Sequence, residues 1–321
     1  MPTTSFTALC LLLSLLSPSA LASATQGHIA YLVSDQQIPF WDIVWRGVRA
    51  EASAQGYRAS LFSADNNARR ELENTVQAIA RKVDGIVLSP TNSSAAATVL
   101  KLAQGAGIPV VIADIGTESG TYVSYISSDN HQGSYALGQL LVQALQQRGW
   151  QDGQVATIAI PQTRANGKAR TAGFLQALAE GGVRGGDLRQ QVDFSERETY
   201  DFARQMIEQH PGLRAIWLQG SNRYRGALRA IADAGRQGEI LLICFDAEPE
   251  FVQLIPDGTL VGAAMQQAFL MGETAVQQLH RHLQGQAVEH EIRLPVLAVS
   301  AANIKALLPQ IQRNVLGLSK P

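Results

Sequence analysis

Residues 84–114 read DGIVLSPTNSSAAATVLKLAQGAGIPVVIAD. The continuous apolar core Gly85-Ile86-Val87-Leu88 predicts a strand over Asp84–Ser89 that is covered on both faces, since a half-exposed strand would alternate apolar with polar residues. An Ala-rich helix is predicted over Ser94–Gln104, and Gly107 leads into a second apolar run, Ile108–Ala113, which stops at Asp114. Strand, helix and strand in this order form a parallel crossover unit.

The same period extends in both directions. Upstream, His28–Ser34 is a predicted strand. Trp41, Val44, Trp45, Val48 and Ala52 then recur at helical steps that end near Gly56. A strand over Arg58–Ser63 follows, with Leu72, Val76, Ile79 and Val83 on the next helix. Downstream, Tyr122–Ser127 is a strand and Gln132–Gln147 a long helix. The cycle restarts with strands at Val155–Ile160, Leu188–Asp193, Ala215–Gln219, Ile240–Phe245 and Leu260–Met265. This is an α/β chain with two similar lobes. No low-complexity linker separates them, so shared crossovers are expected.

The 321 residues are 46% hydrophobic and 17% charged, enough for a large or a double core. A formal charge of −1 gives no footprint for nucleic acid. The run Leu9–Leu16, then Ser17-Pro18 and Ala22-Ser23-Ala24, reads as a secretory signal over residues 1–24, with a mature chain from Thr25 and a periplasmic location. The apolar run is shorter than the roughly 20 residues a bilayer span needs. Cys10 lies in the signal and follows Leu9 rather than a small residue, so Cys244 is the only cysteine left in the mature chain, without a disulfide partner.

No reactive constellation emerges. The first strand is not followed by G-x-G-x-x-G, Gly167-Lys168 lacks the rest of a phosphate loop, and no G-x-S-x-G occurs. His280 and His282, two apart on a predicted helix, face different ways and make a poor metal pair. A repressor built on a similar fold would need a basic head, which the apolar residues 9–16 cannot supply. The sequence therefore gives no case for an enzyme, and no metal and no cofactor are expected.

Ligands of open parallel sheets bind beyond the carboxyl ends of the strands. Residues in those positions include Pro39-Phe40-Trp41, Ser89-Pro90-Thr91-Asn92, Asp114, Ser128-Asp129-Asn130, Arg164 to Lys168, Phe194, Gln219-Gly220, Phe245-Asp246 and Gln266. Trp41 and Phe245 also suit the core, Asp114 and Asp246 also suit caps, and Arg164 and Lys168 also suit a solvated helix start.

In order and spacing, Val33-Ser34 with Pro39-Phe40-Trp41, Gly85 to Thr91, Gly107 to Val111, Ser128-Asp129-Asn130, and Gly226-Ala227-Leu228 before Phe245-Asp246 resemble the type I periplasmic binding proteins, ribose-binding branch. The resemblance implies a monomeric binding protein, with two Rossmann-like lobes joined by three hinge crossovers and closing on a sugar or polyol. It places residues 27–128 and 267–293 in the first lobe, and 129–266 and 294–321 in the second. By position, Phe40 and Trp41 would stack on the ligand from one side, with Phe194 and Phe245 opposite. Asp114 and Asp246 would accept hydroxyl protons, Gln266 would bridge ligand and hinge, and Ser89, Lys168 and Gly220 would complete the pocket. The membrane partner would be the permease of an ABC importer or a sensor such as a chemoreceptor or sensor kinase. Ile115, Ile38, Lys168 and Gly220 stand where the branch has Arg, Asn, Arg and Asn. Those losses predict a pocket poor in planar donors and a ligand less hydroxylated than ribose, differently shaped or partly apolar.

Overall fold

A computed structural model describes residues 27–318. The expected signal segment lies outside that range. The first sheet is built by β1 (Gly27–Val33), α1 (Pro39–Ala54), β2 (Tyr57–Ser63), α2 (Ala68–Ala80), β3 (Gly85–Ser89), α3 (Ser93–Gly105), β4 (Val110–Ala113) and β5 (Ser124–Ser128). All five residues of β3 and all four of β4 are buried, as a strand with helices on both faces requires.

The second lobe follows with α4 (Asn130–Gln147), β6 (Gln154–Ala159), α5 (Ala165–Glu180), β7 (Arg184–Gln190), α6 (Glu196–Gln209), β8 (Leu213–Leu218), α7 (Tyr224–Asp233), β9 (Leu241–Phe245), the single turn α8 (Phe251–Leu254) and β10 (Gly262–Met265). Then come α9 (Ala268–Leu283), β11 (Glu291–Leu294), β12 (Leu297–Ser300) and α10 (Ile304–Gln310).

The two sheets run β11-β5-β4-β3-β1-β2 and β12-β10-β9-β8-β6-β7, the same order twice. The chain passes between them three times, after Ser128, after Met265 and after Leu294. Helices α1 and α9 cross on the first sheet, where a Cβ at Gly47 would collide with the Phe269 carbonyl and one at Gly272 with that of Val44. Only glycine permits this approach.

Three expectations need correction. The strand expected at Leu188–Asp193 runs over Arg184–Gln190, because this sheet-edge segment leaves most of its residues partly or fully exposed and carries no apolar signature. The lobe boundary placed between 293 and 294 falls after Leu294, which pairs with Ser128 in the first sheet. The tail assigned to the second lobe returns to the first beyond β12. Ile311, Val315 and Leu316 are buried, Arg313 Nη2 donates to Glu273 Oε1 at 2.8 Å, and Arg46 donates to the Leu316 and Gly317 carbonyls at 2.9 and 3.1 Å.

Candidate ligand site between the lobes

The carboxyl ends of strands from both sheets converge on one cavity, lined by Ile38, Phe40, Trp41 and Asp114 from the first lobe and by Ile160, Arg164, Asn166, Arg170, Phe194, Gln219, Gly220, Asn222, Arg223 and Asp246 from the second, with Gln266 at a crossover. The space between atoms there, about 400 Å³, includes the open mouth of the cleft.

Asp114 and Asp246 occupy equivalent positions, each just past the corresponding strand of its lobe. Both have left-handed backbone, with φ of 67° and 73°. In each, the backbone N–H donates to the next strand, Asp114 to Ile126 O at 2.9 Å and Asp246 to Ala264 O at 2.8 Å. A non-glycine residue held there costs about 1–3 kcal/mol, a strain that clusters at functional sites. Asp tolerates it better than most residues because its short polar side chain can bond locally.

The two carboxylates line the same cavity from opposite lobes. Asn166 Nδ2 donates to Asp114 Oδ2 at 2.9 Å, whereas Asp114 Oδ1 is buried without a partner. Gln266 Nε2 donates to Asp246 Oδ1 at 2.6 Å and leaves its own Oε1 unpartnered. Burial pushes the Asp114 carboxyl up to about 6 against the pull of Arg170, and burial also raises Asp246. Both unpartnered oxygens are acceptors suited to hydroxyl protons.

Arg170 is only 3% exposed. Its guanidinium lies 3.9 Å above the Phe245 ring, and Nε donates to Asn130 Oδ1 and Nη1 to Gln219 O, both at 2.8 Å. It stands 3.8 Å from Asp246 Oδ2. Arg164 reaches across the cleft, where Nε donates to Thr91 O at 3.1 Å and Nη2 to Asn66 Oδ1 at 3.2 Å. Together with Asn166–Asp114, these bonds tie the second lobe to the first in a closed form. Arg223 Nη1 donates to Phe194 O at 2.9 Å. Phe194 itself has φ of 58°, and both guanidinium groups lie close to its ring.

Of the sequence-predicted residues, Phe40, Trp41, Asp114, Phe194, Gly220, Asp246 and Gln266 line this cavity. Three do not. Ser89 is wholly buried and accepts from Tyr31 Oη at 3.0 Å. Phe245 is wholly buried beneath Arg170, so it supports that guanidinium rather than the cavity. Lys168 is exposed, since the buried face of α5 carries Asn166, Gly167, Arg170, Gly173 and Phe174. An Arg four residues before Phe174 on that apolar stripe was the available signal. Nothing local in the sequence distinguishes Asn222 or Arg223. The prediction of a donor-poor pocket is also overturned, because three guanidinium groups and two Asn side chains line it.

Among the described residues no cluster of His, Cys, Asp and Glu could hold a metal ion, and no helix is long and apolar enough to cross a membrane.

Comparison with known proteins places this geometry in context. The chain is 27% identical over 284 residues to the ribose import binding protein of Escherichia coli, covering 88% of this chain and 94% of that one. An ABC transporter solute-binding protein from Agrobacterium vitis, solved with D-fucose, is 26% identical with a TM-score of 0.79, over 90% of this chain and 100% of that one. A carbohydrate transporter solute-binding protein from Agrobacterium radiobacter, solved with D-arabinose, shares the fold at 21% identity and a TM-score of 0.82, over 90% and 98%. Residues 29–287 match the model of the periplasmic binding protein domain, and the chain belongs to that family.

Proposed function

We propose that this protein is exported, matures near Thr25, and captures a sugar or polyol between its lobes, releasing it unchanged to the membrane permease of an ABC importer. The observation that carries the reading is the pair Asp114 and Asp246, which come from opposite sheets and line one cavity with Trp41 and Phe194. Carboxylates accept several hydroxyl protons with charge assistance, and an aromatic face packs the apolar C–H side of a sugar ring. Relatives named for ribose and D-apiose import support this ligand class. Neighbours solved with D-fucose and D-arabinose add to that support. Trp41, which lines the cavity at 4% exposure, supports an aromatic wall for the ligand.

The test is thermal denaturation of the mature protein against a panel of monosaccharides and polyols. A native-state ligand at about 100 times its Kd adds about 2.7 kcal/mol, a shift of several degrees. The compound recovered by mass spectrometry after denaturation should be chemically identical to the one added. Absence of any shift at millimolar concentration contradicts the proposal. Loss of uptake when the gene is deleted supports an importer partner. Retained uptake with loss of a ligand-triggered response points to a sensor.

A further inference from the structure

Two cationic side chains in the cavity lack the partner that buried charge requires. Arg164 is 6% and Arg223 4% exposed. Among the described residues neither has a carboxylate oxygen within 4 Å, in contrast to Arg170 beside Asp246. Buried arginine is seldom left without a counter-ion, because removing its charge from water costs several kcal/mol unless an anion compensates.

Carboxylates do act on these two residues from further away, Asp114, Glu71 and Asp35 on Arg164 and Glu198, Asp246, Glu248 and Asp193 on Arg223. Several are occupied elsewhere. Glu71 accepts from the Thr91 backbone N–H at 2.7 Å, Glu248 from Ser221 Oγ at 2.7 Å, and Glu198 from the Val192 and Phe194 N–H groups at 2.7 and 3.0 Å. Burial lifts Glu71 and Glu248 to about 7, which reduces their negative charge at neutral pH. Burial draws both arginines down only to about 10, so they stay charged.

The two guanidinium groups flank one ring, with their central carbons 5.4 and 5.0 Å from the Phe194 centroid. Each carries five N–H donors. Arg164 uses two of its nitrogens and Arg223 one in hydrogen bonds to the protein, and Arg223 Nε is buried with no acceptor. Gly220 leaves room for this arrangement, since a Cβ there would stand 3.0 Å from Arg223 Nη2. The unpartnered acceptors among the lining residues are Asp114 Oδ1 and Gln266 Oε1.

Resting on the sugar-binding reading above, we infer that the ligand is a sugar acid, an aldonate or uronate. Its carboxylate lies between Arg164 and Arg223 at the Phe194 ring, and its hydroxyls point to Asp114, Asp246 and Gln266. A planar carboxylate matches the guanidinium fork and supplies the missing counter-charge. A neutral sugar leaves the like-charged pair with only the more distant carboxylates to offset it.

The test is calorimetric titration of ligand-free mature protein at neutral pH with the uronates and aldonates of the gluco, galacto and manno series, their neutral parents, ribose, and ribose 5-phosphate. At least one acid should bind tenfold or more tighter than its neutral parent, about what one charge-assisted pair contributes. Arg223→Gln should shrink that ratio about tenfold, and Arg164→Gln serves the same purpose should the first variant fold poorly. Neutral sugars binding as tightly as their acids overturn the inference and leave the sugar-binding reading standing. Binding confined to ribose 5-phosphate overturns the carboxylate assignment. No binding by any compound defeats both readings.

Discussion

Replacing Asp114 by Asn should make the ligand-free protein more stable and a poorer binder. The substitution keeps the shape and suits the left-handed backbone at φ 67°. It also keeps an amide oxygen to accept from Asn166, so its principal effect is to remove a buried negative charge. The native carboxyl sits at about 6 rather than 3.8, with burial the largest cause, and the gap corresponds to about 3 kcal/mol. Because the native pKa is raised, the folded protein holds a proton between about pH 4 and 6 that the unfolded chain has already released, and stability falls as pH rises through that window. Above the window, the neutral amide of the variant avoids the penalty. With about 2.1 cal/mol/K of unfolding entropy per residue, that is a gain of roughly 5 °C in Tm. Below about pH 4 the gain should vanish, since Asp114 is then neutral in both states. Ligand affinity should drop about 10- to 100-fold, because a charge-assisted hydrogen bond is replaced by a neutral one. Scanning fluorimetry with and without ligand, at about pH 4 and pH 8, reads both effects. A ligand-free Asp114→Asn protein less stable than the parent at about pH 8 would refute the reasoning.

Other outcomes follow from the same structure. Glu71 and Glu248, raised to about 7 chiefly by burial, act in the same direction as Asp114, so the ligand-free Tm should be higher near pH 5 than near pH 8. A flat profile contradicts this. Arg164→Ala removes the bonds to Thr91 and Asn66 that cross the cleft, and should cut the closed population about tenfold, read as a larger radius of gyration by small-angle scattering in ligand-bound samples. Gly47→Ala should destabilise the fold by about 1–3 kcal/mol in chemical denaturation, since its methyl group drives into the Phe269 carbonyl where α1 meets α9. Trp41→Ala should weaken binding at least tenfold and, through the cavity it leaves, lower stability by about 3 kcal/mol.

The fold was legible where burial was complete. The runs Gly-Ile-Val-Leu and Val-Val-Ile-Ala announce strands β3 and β4 because both faces meet helices, and the one polar residue in them, Ser89, is satisfied by Tyr31. Strand β7 departs from its expected position because an edge exposes its side chains, and the short β11 and β12 carry no signal that a sequence reading can use. The site was legible as a set of positions, since parallel topology makes every strand end a candidate, and Asp114 and Asp246 follow from that alone. The arginines were harder. A long cation in a sequence ordinarily marks solvent, and only the phase of α5 separates buried Arg170 from exposed Lys168. Arg223 is fixed by tertiary contacts to Phe194, from a turn with no periodicity to read.

A crystal structure of the mature protein with the compound giving the largest thermal shift tests the central claim most directly. Density for that compound should fill the space between Trp41 and Phe194, with its hydroxyls within hydrogen-bond distance of Asp114 and Asp246 and the lobes closed around it. The same compound bound on an outer face, with the cleft empty, would contradict the account.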